Sequence, residues 1–200
     1  IKYRIQLMND LNLLFIMPDQ LRPDFLSCYG ADFIETPNID SIADQGVLYE
    51  NAYSTSPVCV AARHNLLTGL NSIRTGVLGN GQFLRPDYKE CGMHTWPELI
   101  ESAGYRSAAI GKMHFYPWDA SMGFYDRVVC EDKRWLYIED DYFEYLDKRG
   151  LRKLHGDEHH GYHENKGAVV HQHSFSDSWD YFVGAEAAKY IHSYEDSQPF

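Results

Sequence analysis

Cysteine is scarce in this 200-residue chain, with Cys28, Cys59, Cys91 and Cys130 scattered and never paired as CxxC. That spacing excludes a zinc ribbon and indicates no disulfide framework. Long apolar runs are also lacking. The strongest, "LNLLFIM" at residues 11–17, falls well short of the roughly 20 residues that cross a bilayer. It leads straight into Pro18-Asp19-Gln20, so the N-terminus does not read as a secretory signal. The expectation is a cytoplasmic protein without a membrane partner, with Met8 as a natural start and residues 1–7 as a leader. Positive charge is in short supply too: 18 Lys and Arg stand against 29 Asp and Glu, a formal charge of -11. Such a surface repels a phosphate backbone, which excludes a general nucleic-acid or anionic-membrane binder. It leaves room for a small anionic substrate gathered by a few local cations or a metal ion. No internal repeat or low-complexity tract is present.

What is there is globular, at 44% hydrophobic and 14% aromatic residues. The run at 11–17 has the length and continuity of a strand buried on both faces, as in a parallel sheet. "TPNIDSIADQG" carries helix punctuation, with Thr36 at the N-cap, Pro37 at the first position and Gly46 as the stop. "VLYENAYS" reads as a strand, "TWPELIESAG" as a capped helix ending at Gly104, and "YRSAAIGK" as a strand running into a loop. Alternation of this kind predicts an α/β fold, a mostly parallel central sheet flanked by helices. Beyond Phe124 the pattern loosens. "EDDYFEYLDKRG" reads as an exposed acidic helix and "LHGDEHHGYHENKG" as a His- and Gly-rich loop. "SDSWDYFVGAEAAKYIHSYE" reads as a last helix, with Trp179, Phe182, Val183, Ala187 and Ile191 at helical spacing.

In open α/β sheets ligands sit beyond the carboxyl ends of the strands. Asp19 and Gln20 lie at such an end, and so do Lys112 and His114. Cys59 and Arg63 are four apart, so a helix opening at Cys59 puts them on one face near its positive end. A hard oxygen donor, a nucleophile position and cationic anion binders together suit hydrolysis of an anionic ester. Each residue also has a plainer reading. A cysteine at a helix start is more often a small buried residue, and an aspartate after a strand is commonly a turn residue. A Lys and a His two apart in a loop are usually solvated. The histidines at 155, 159, 160 and 163 lack a firm ligand spacing and read as surface.

Taken together the segments match a pattern. "CVAARHNLLTG" resembles the signature of the type I, formylglycine-dependent sulfatases, C-x-[P/A]-x-R followed by x-x-x-L-T-G. "LNLLFIMPDQLRPD" is similar to that family's first strand with its metal-binding acid, and "AGYRSAAIGKMHF" to its second signature block. The resemblance runs from about Leu11 to Phe200, is strongest before residue 125, and is closest to choline-sulfatase-like and glycan-sulfatase-like members. It implies an alkaline-phosphatase-like fold and a sulfuric ester hydrolase acting on a small or carbohydrate sulfate. It further implies that a formylglycine-generating or anaerobic sulfatase-maturing enzyme converts Cys59 to formylglycine. Arg63 would then steady that residue, while Lys112 and His114 would bind sulfate and assist the leaving oxygen. Asp19, Gln20 and the residue at 59 would ligate a divalent metal, calcium first, with Mn2+, Mg2+ or Zn2+ as alternatives.

The sequence departs from the family pattern at three points. Gln20 stands where most members carry a second acid; phosphonate monoester hydrolases and choline-sulfatase-like enzymes also show Asp-Gln, so a phosphonate or phosphate diester hydrolase with the same site is the alternative. Ala61 replaces the common proline, a version familiar among anaerobic bacterial sulfatases. The family's later metal-binding pair, Asp with Asn or His, has no counterpart in these 200 residues. Residues 1–200 are therefore expected to be the N-terminal portion of a single catalytic domain. A catalytically inactive, anion- or glycan-binding relative remains the non-enzymatic alternative, and a homo-oligomer is left open.

Overall fold

The computed structural model describes residues 11–131 and 135–200, so the Met8 reading lies outside the described residues. The chain divides into two compact units, one of Leu13–Ser54 and one containing Thr55–Phe200 together with Leu11 and Asn12.

The smaller unit is built from short helical turns held by side chains. Turns at Pro23–Phe25 and Ser27–Tyr29 precede helix α1, Pro37–Gln45. Pro37 opens α1 as expected, because its fixed φ suits the first helical position and its missing N–H costs nothing there. Thr36, Ser27 and Asp40 form a polar knot at the helix entrance. The amide of Ser27 donates to Thr36 Oγ1 at 3.0 Å, and that of Cys28 donates to Asp40 Oδ1 at 2.9 Å. Residues 11–17 and 47–54 are not strands. Both segments are irregular, and their large side chains are exposed, from Leu14 and Ile16 to Val47 and Tyr53. The apolar composition was read correctly, but a strand needs a paired edge to exist. Among the described residues neither segment has one.

In the larger unit, helix α2, Cys59–Thr68, is followed by the single turn α3, Ser72–Thr75, and then α4, Trp96–Ser102. Glu98 reaches back to the amide of Thr95 at 3.1 Å, closing the start of α4 as its sequence predicts. Strand β1, Ala108–Gly111, pairs in parallel with β2, Asp126–Val129, in the register Ala108↔Asp126 to Gly111↔Val129. The loop joining them is held by Arg127, whose guanidinium donates to the carbonyls of Ala120 (2.8 Å) and Asp119 (2.5 Å). Helix α5, Asp141–Asp147, packs on β2, and its first residue accepts the amide of Val129 at 2.6 Å. Expected to be exposed, α5 is instead amphipathic, with Tyr142 and Leu146 at 1% and 0% exposure. The i, i+4 spacing of these two buries one stripe while the acids face water. Helix α6, Trp179–Ser193, is the last. It lies against β1 so closely that a Cβ on Gly111 would sit 3.3 Å from Val183. No helix among the described residues is long and apolar enough to cross a membrane.

Three packed clusters hold the larger unit together. Val60, Ala61, Val77, Leu84 and Met93 bury the start of α2. Leu67, Met113, Phe115 and Val129 join α2 to the segment after β1. Cys130, Tyr142, Leu146 and Phe182 join β2, α5 and α6.

Candidate active site

Helix α2 begins at Cys59 because Val58 is extended (φ -121, ψ 131) and the following residues are fixed from outside. The amide of Val60 donates to Asn80 Oδ1 at 3.2 Å, which satisfies one of the donors that a helix start leaves open. Val60 and Ala61 are fully buried. Cys59 is half-buried and forms no disulfide. One turn on, Arg63 shares its face, and its Nη1 donates to the carbonyl of Lys112 at 2.5 Å. That bond spans 49 positions of sequence and ties α2 to the segment after β1. The next residue, His64, is buried. Its Nδ1–H donates to the Val60 carbonyl at 2.8 Å, and its ring lies edge-on to Phe83 and Phe115. Burial pushes the His64 pKa down, so the ring packs as a neutral core residue.

The chain leaves β1 at Gly111 and continues without regular structure, with Met113 and Phe115 in the core at 4% and 5% exposure. Lys112 is half-buried. His114 is only 1% exposed, its ring 4.8 Å from that of Trp135. Its backbone is left-handed, at φ 57. The carboxylate of Glu131, just past β2, holds this turn: Oε1 accepts the amides of Met113 (3.2 Å) and His114 (2.9 Å). Its Oε2 lies 4.0 Å from His114 Nε2. Sequence reasoning passed over Glu131. The available signal was an acid closing the β-branched run "RVVCE", the same placement that singled out Asp19.

Asp19 and Gln20 lie in the smaller unit, exposed, at a bend after Pro18. Gln20 has φ 60, one of four non-glycine residues at positive φ among those described, with His114, Met122 and Lys166. Such conformations cost free energy and gather at functional sites. That two of the four fall on residues chosen for their chemistry is an observation the sequence could not supply.

Thus Cys59, Arg63, Lys112 and His114 lie on two segments of the larger unit joined by the Arg63 bond, while Asp19 and Gln20 lie together in the other unit. Among the described residues no group of three or more His, Cys, Asp or Glu is placed to hold a metal ion. Asp19 and Gln20 offer two oxygen-bearing side chains, far fewer than the about six to eight oxygens that calcium takes. They fit part of a donor shell and do not form a complete centre. The histidine-rich loop does not form one either. His155 Nδ1 is paired with Asp157, and His173 Nε2 donates to the Arg152 carbonyl at 2.8 Å. Nearby Glu158, clasped by Arg152, has its pKa lowered to about 2.

The Sulfatase family profile matches residues 11–199. An arylsulfatase of Clostridium perfringens is 39% identical over 115 residues, 58% of this chain and 23% of that protein. A structure described as in complex with its substrate, D-glucosamine-2-N,6-O-disulfate, matches with a TM-score of 0.53 and 34% identity. That match covers 58% of this chain and 22% of the other. The phosphonate monoester hydrolase of Agrobacterium radiobacter shares the fold over 91% of this chain and 38% of its own, with a TM-score of 0.66 at 20% identity. The chain therefore spans about a quarter of the length of the curated relative it matches.

Proposed function

This chain belongs to the Sulfatase family, and from that premise we propose that the whole protein hydrolyses sulfate esters of a carbohydrate through a formylglycine formed from Cys59. The observation that supports this most is the bond from Arg63 to the Lys112 carbonyl, which draws the cysteine helix and the Lys112–His114 segment together. The carbohydrate class rests on the relative in complex with a sulfated glucosamine.

A thiol could form an ester with sulfate but could not discharge it by collapse. The hydrated aldehyde supplies what is needed: one hydroxyl attacks sulfur as the bond to the alcohol oxygen breaks, and deprotonation of the other expels sulfate and restores the aldehyde. The chain's own residues do the rest. The start of α2 sets residue 59 at the positive end of a helix dipole, where developing negative charge is favoured. Arg63, on the same face, holds a fixed positive charge one turn away. Lys112 contributes a second cation toward the sulfate oxygens. His114 supplies the proton that the departing alkoxide oxygen needs. Asp19 and Gln20 would offer a carboxylate and an amide oxygen to a divalent cation, with calcium favoured by the hardness of those donors. The family uses such a cation for charge stabilisation.

The test is turnover by the complete polypeptide, co-expressed with a maturing enzyme, on aryl sulfate, glucosamine 6-sulfate and aryl phosphonate esters. Sulfate turnover exceeding phosphonate turnover is expected. Phosphonate turnover that equals or exceeds it would assign the site to a phosphonate or phosphate diester hydrolase. No turnover of any ester would leave an anion-binding relative.

A further inference from the structure

Behind His114 lies a chain of buried polar groups that the reaction above does not use. Lys153 Nζ stands 2.6 Å from Asp140 Oδ1, with the two side chains at 1% and 0% exposure. Asp140 Oδ2 accepts the amide of Glu131 at 2.7 Å. Glu131, itself 1% exposed, accepts the amides of Met113 and His114 and faces the His114 imidazole. The Asp140–Lys153 pair is neutral as a unit, and the Glu131 carboxylate brings a negative charge to within 4.0 Å of the ring. Two backbone donors on one oxygen favour its ionised form. Among the described residues, the cations of the same two segments are Lys112, two positions before His114, and Arg63, which binds the Lys112 carbonyl. Both are cationic and would disfavour a protonated imidazole; Glu131 opposes them.

We infer that Glu131 is a positioning residue for His114: one oxygen fixes the left-handed turn, and the carboxylate charge holds the imidazole oriented and protonated to meet the leaving ester oxygen. This rests on the role proposed for His114 above. Proton flow is balanced without a further reactant. The imidazolium gives its proton to the departing alkoxide and regains one from water, while Glu131 stays ionised throughout.

Two variants separate the charge from the cradle. Glu131→Gln keeps an oxygen that accepts the two amides but removes the charge, whereas Glu131→Ala removes both. The complete polypeptide, labelled at histidine Cε1, is titrated by NMR, with His114→Gln identifying the signal. Amide exchange is followed at Met113 and His114. In Glu131→Gln the His114 midpoint is expected to fall by about one pH unit or more, a tenfold loss of proton affinity, with both amides still protected. In Glu131→Ala both amides are expected to exchange about tenfold faster or more as well. In turnover, Glu131→Gln should shift the pH profile of kcat by the same interval with little change in KM. A His114 midpoint unmoved in Glu131→Gln would overturn the inference, since a merely structural carboxylate leaves that midpoint alone. A wild-type protein that turns over no sulfate ester would sink the proposed function instead, while the titration would still decide the role of Glu131.

Discussion

Replacing Lys153 by methionine should be among the most damaging single changes in this chain. Lys153 and Asp140 are removed from water, their charged atoms 2.6 Å apart, and Lys153 also donates to the Ile138 carbonyl at 3.0 Å. Methionine fills the volume but strands the Asp140 charge and the Ile138 carbonyl. Stranding one member of a buried pair costs about 3–5 kcal/mol. Asp140 keeps two donors, the amides of Phe143 at 2.9 Å and Glu131 at 2.7 Å, which places the loss nearer the lower figure. In a cooperative unit of about 150–250 residues, about 3–5 kcal/mol corresponds to a fall in Tm of roughly 6–20 °C, and to less in a larger one. Urea unfolding of wild type, Lys153→Met, Asp140→Asn and the double variant forms a cycle. With the charge gone, the double variant should recover more than half of the single loss. A Lys153→Met protein within about 1 kcal/mol of wild type would refute the claim that this pair is sealed from water.

Three further outcomes follow from other contacts. Gly123→Ala should destabilise by about 2–4 kcal/mol in the same urea assay, because its φ is 95 and a Cβ would fall 2.9 Å from the Glu98 amide. Burial lowers the folded-state pKa of His64 below its ordinary value near 6.5. The unfolded chain therefore binds a proton first as pH falls, and stability should decline below about pH 6.5, by up to about 1.4 kcal/mol per unit, until the folded pKa is reached. His64→Gln should flatten that part of the stability profile; an unchanged slope counts against a neutral His64. Arg63→Lys, losing the planar donor that reaches the Lys112 carbonyl, should lower kcat/KM for aryl sulfate by about 10²–10³ with the fold intact by circular dichroism. Full activity in that variant would remove Arg63 from the site.

Local punctuation was legible where it acts over a few residues. Pro37 at the first position of α1 and the Thr95 and Glu98 contact at α4 depend on neighbours within one turn; the start of α2 at Cys59 was legible too, although Asn80, 20 positions on, holds the Val60 amide. Strand β1 was legible from its apolar run before Gly111. Strand β2 was not, because "DRVV" is short and follows an aromatic loop; it exists through its pairing with β1 and the Asp141 contact to Val129. The runs at 11–17 and 47–54 show the converse, apolar sequence without a paired edge. At the site, residue types and spacing pointed to Cys59, Arg63, Lys112 and His114. The conformations at Gln20 and His114 and the role of Glu131 were hidden, since they depend on contacts across 17 or more positions or on a backbone dihedral. The buried stripe of α5 was present in the spacing of Tyr142 and Leu146 but masked by the acids between and around them.

The central claim is that Cys59 is a precursor and not a resident thiol. The direct measurement is the mass of the peptide carrying residue 59, taken from a preparation of the complete polypeptide that turns over sulfate esters. The account predicts a mass below that of the cysteine peptide by the difference between SH2 and O, with the aldehyde captured by a hydrazide probe. An unmodified cysteine peptide, found throughout a preparation that releases sulfate, would contradict it.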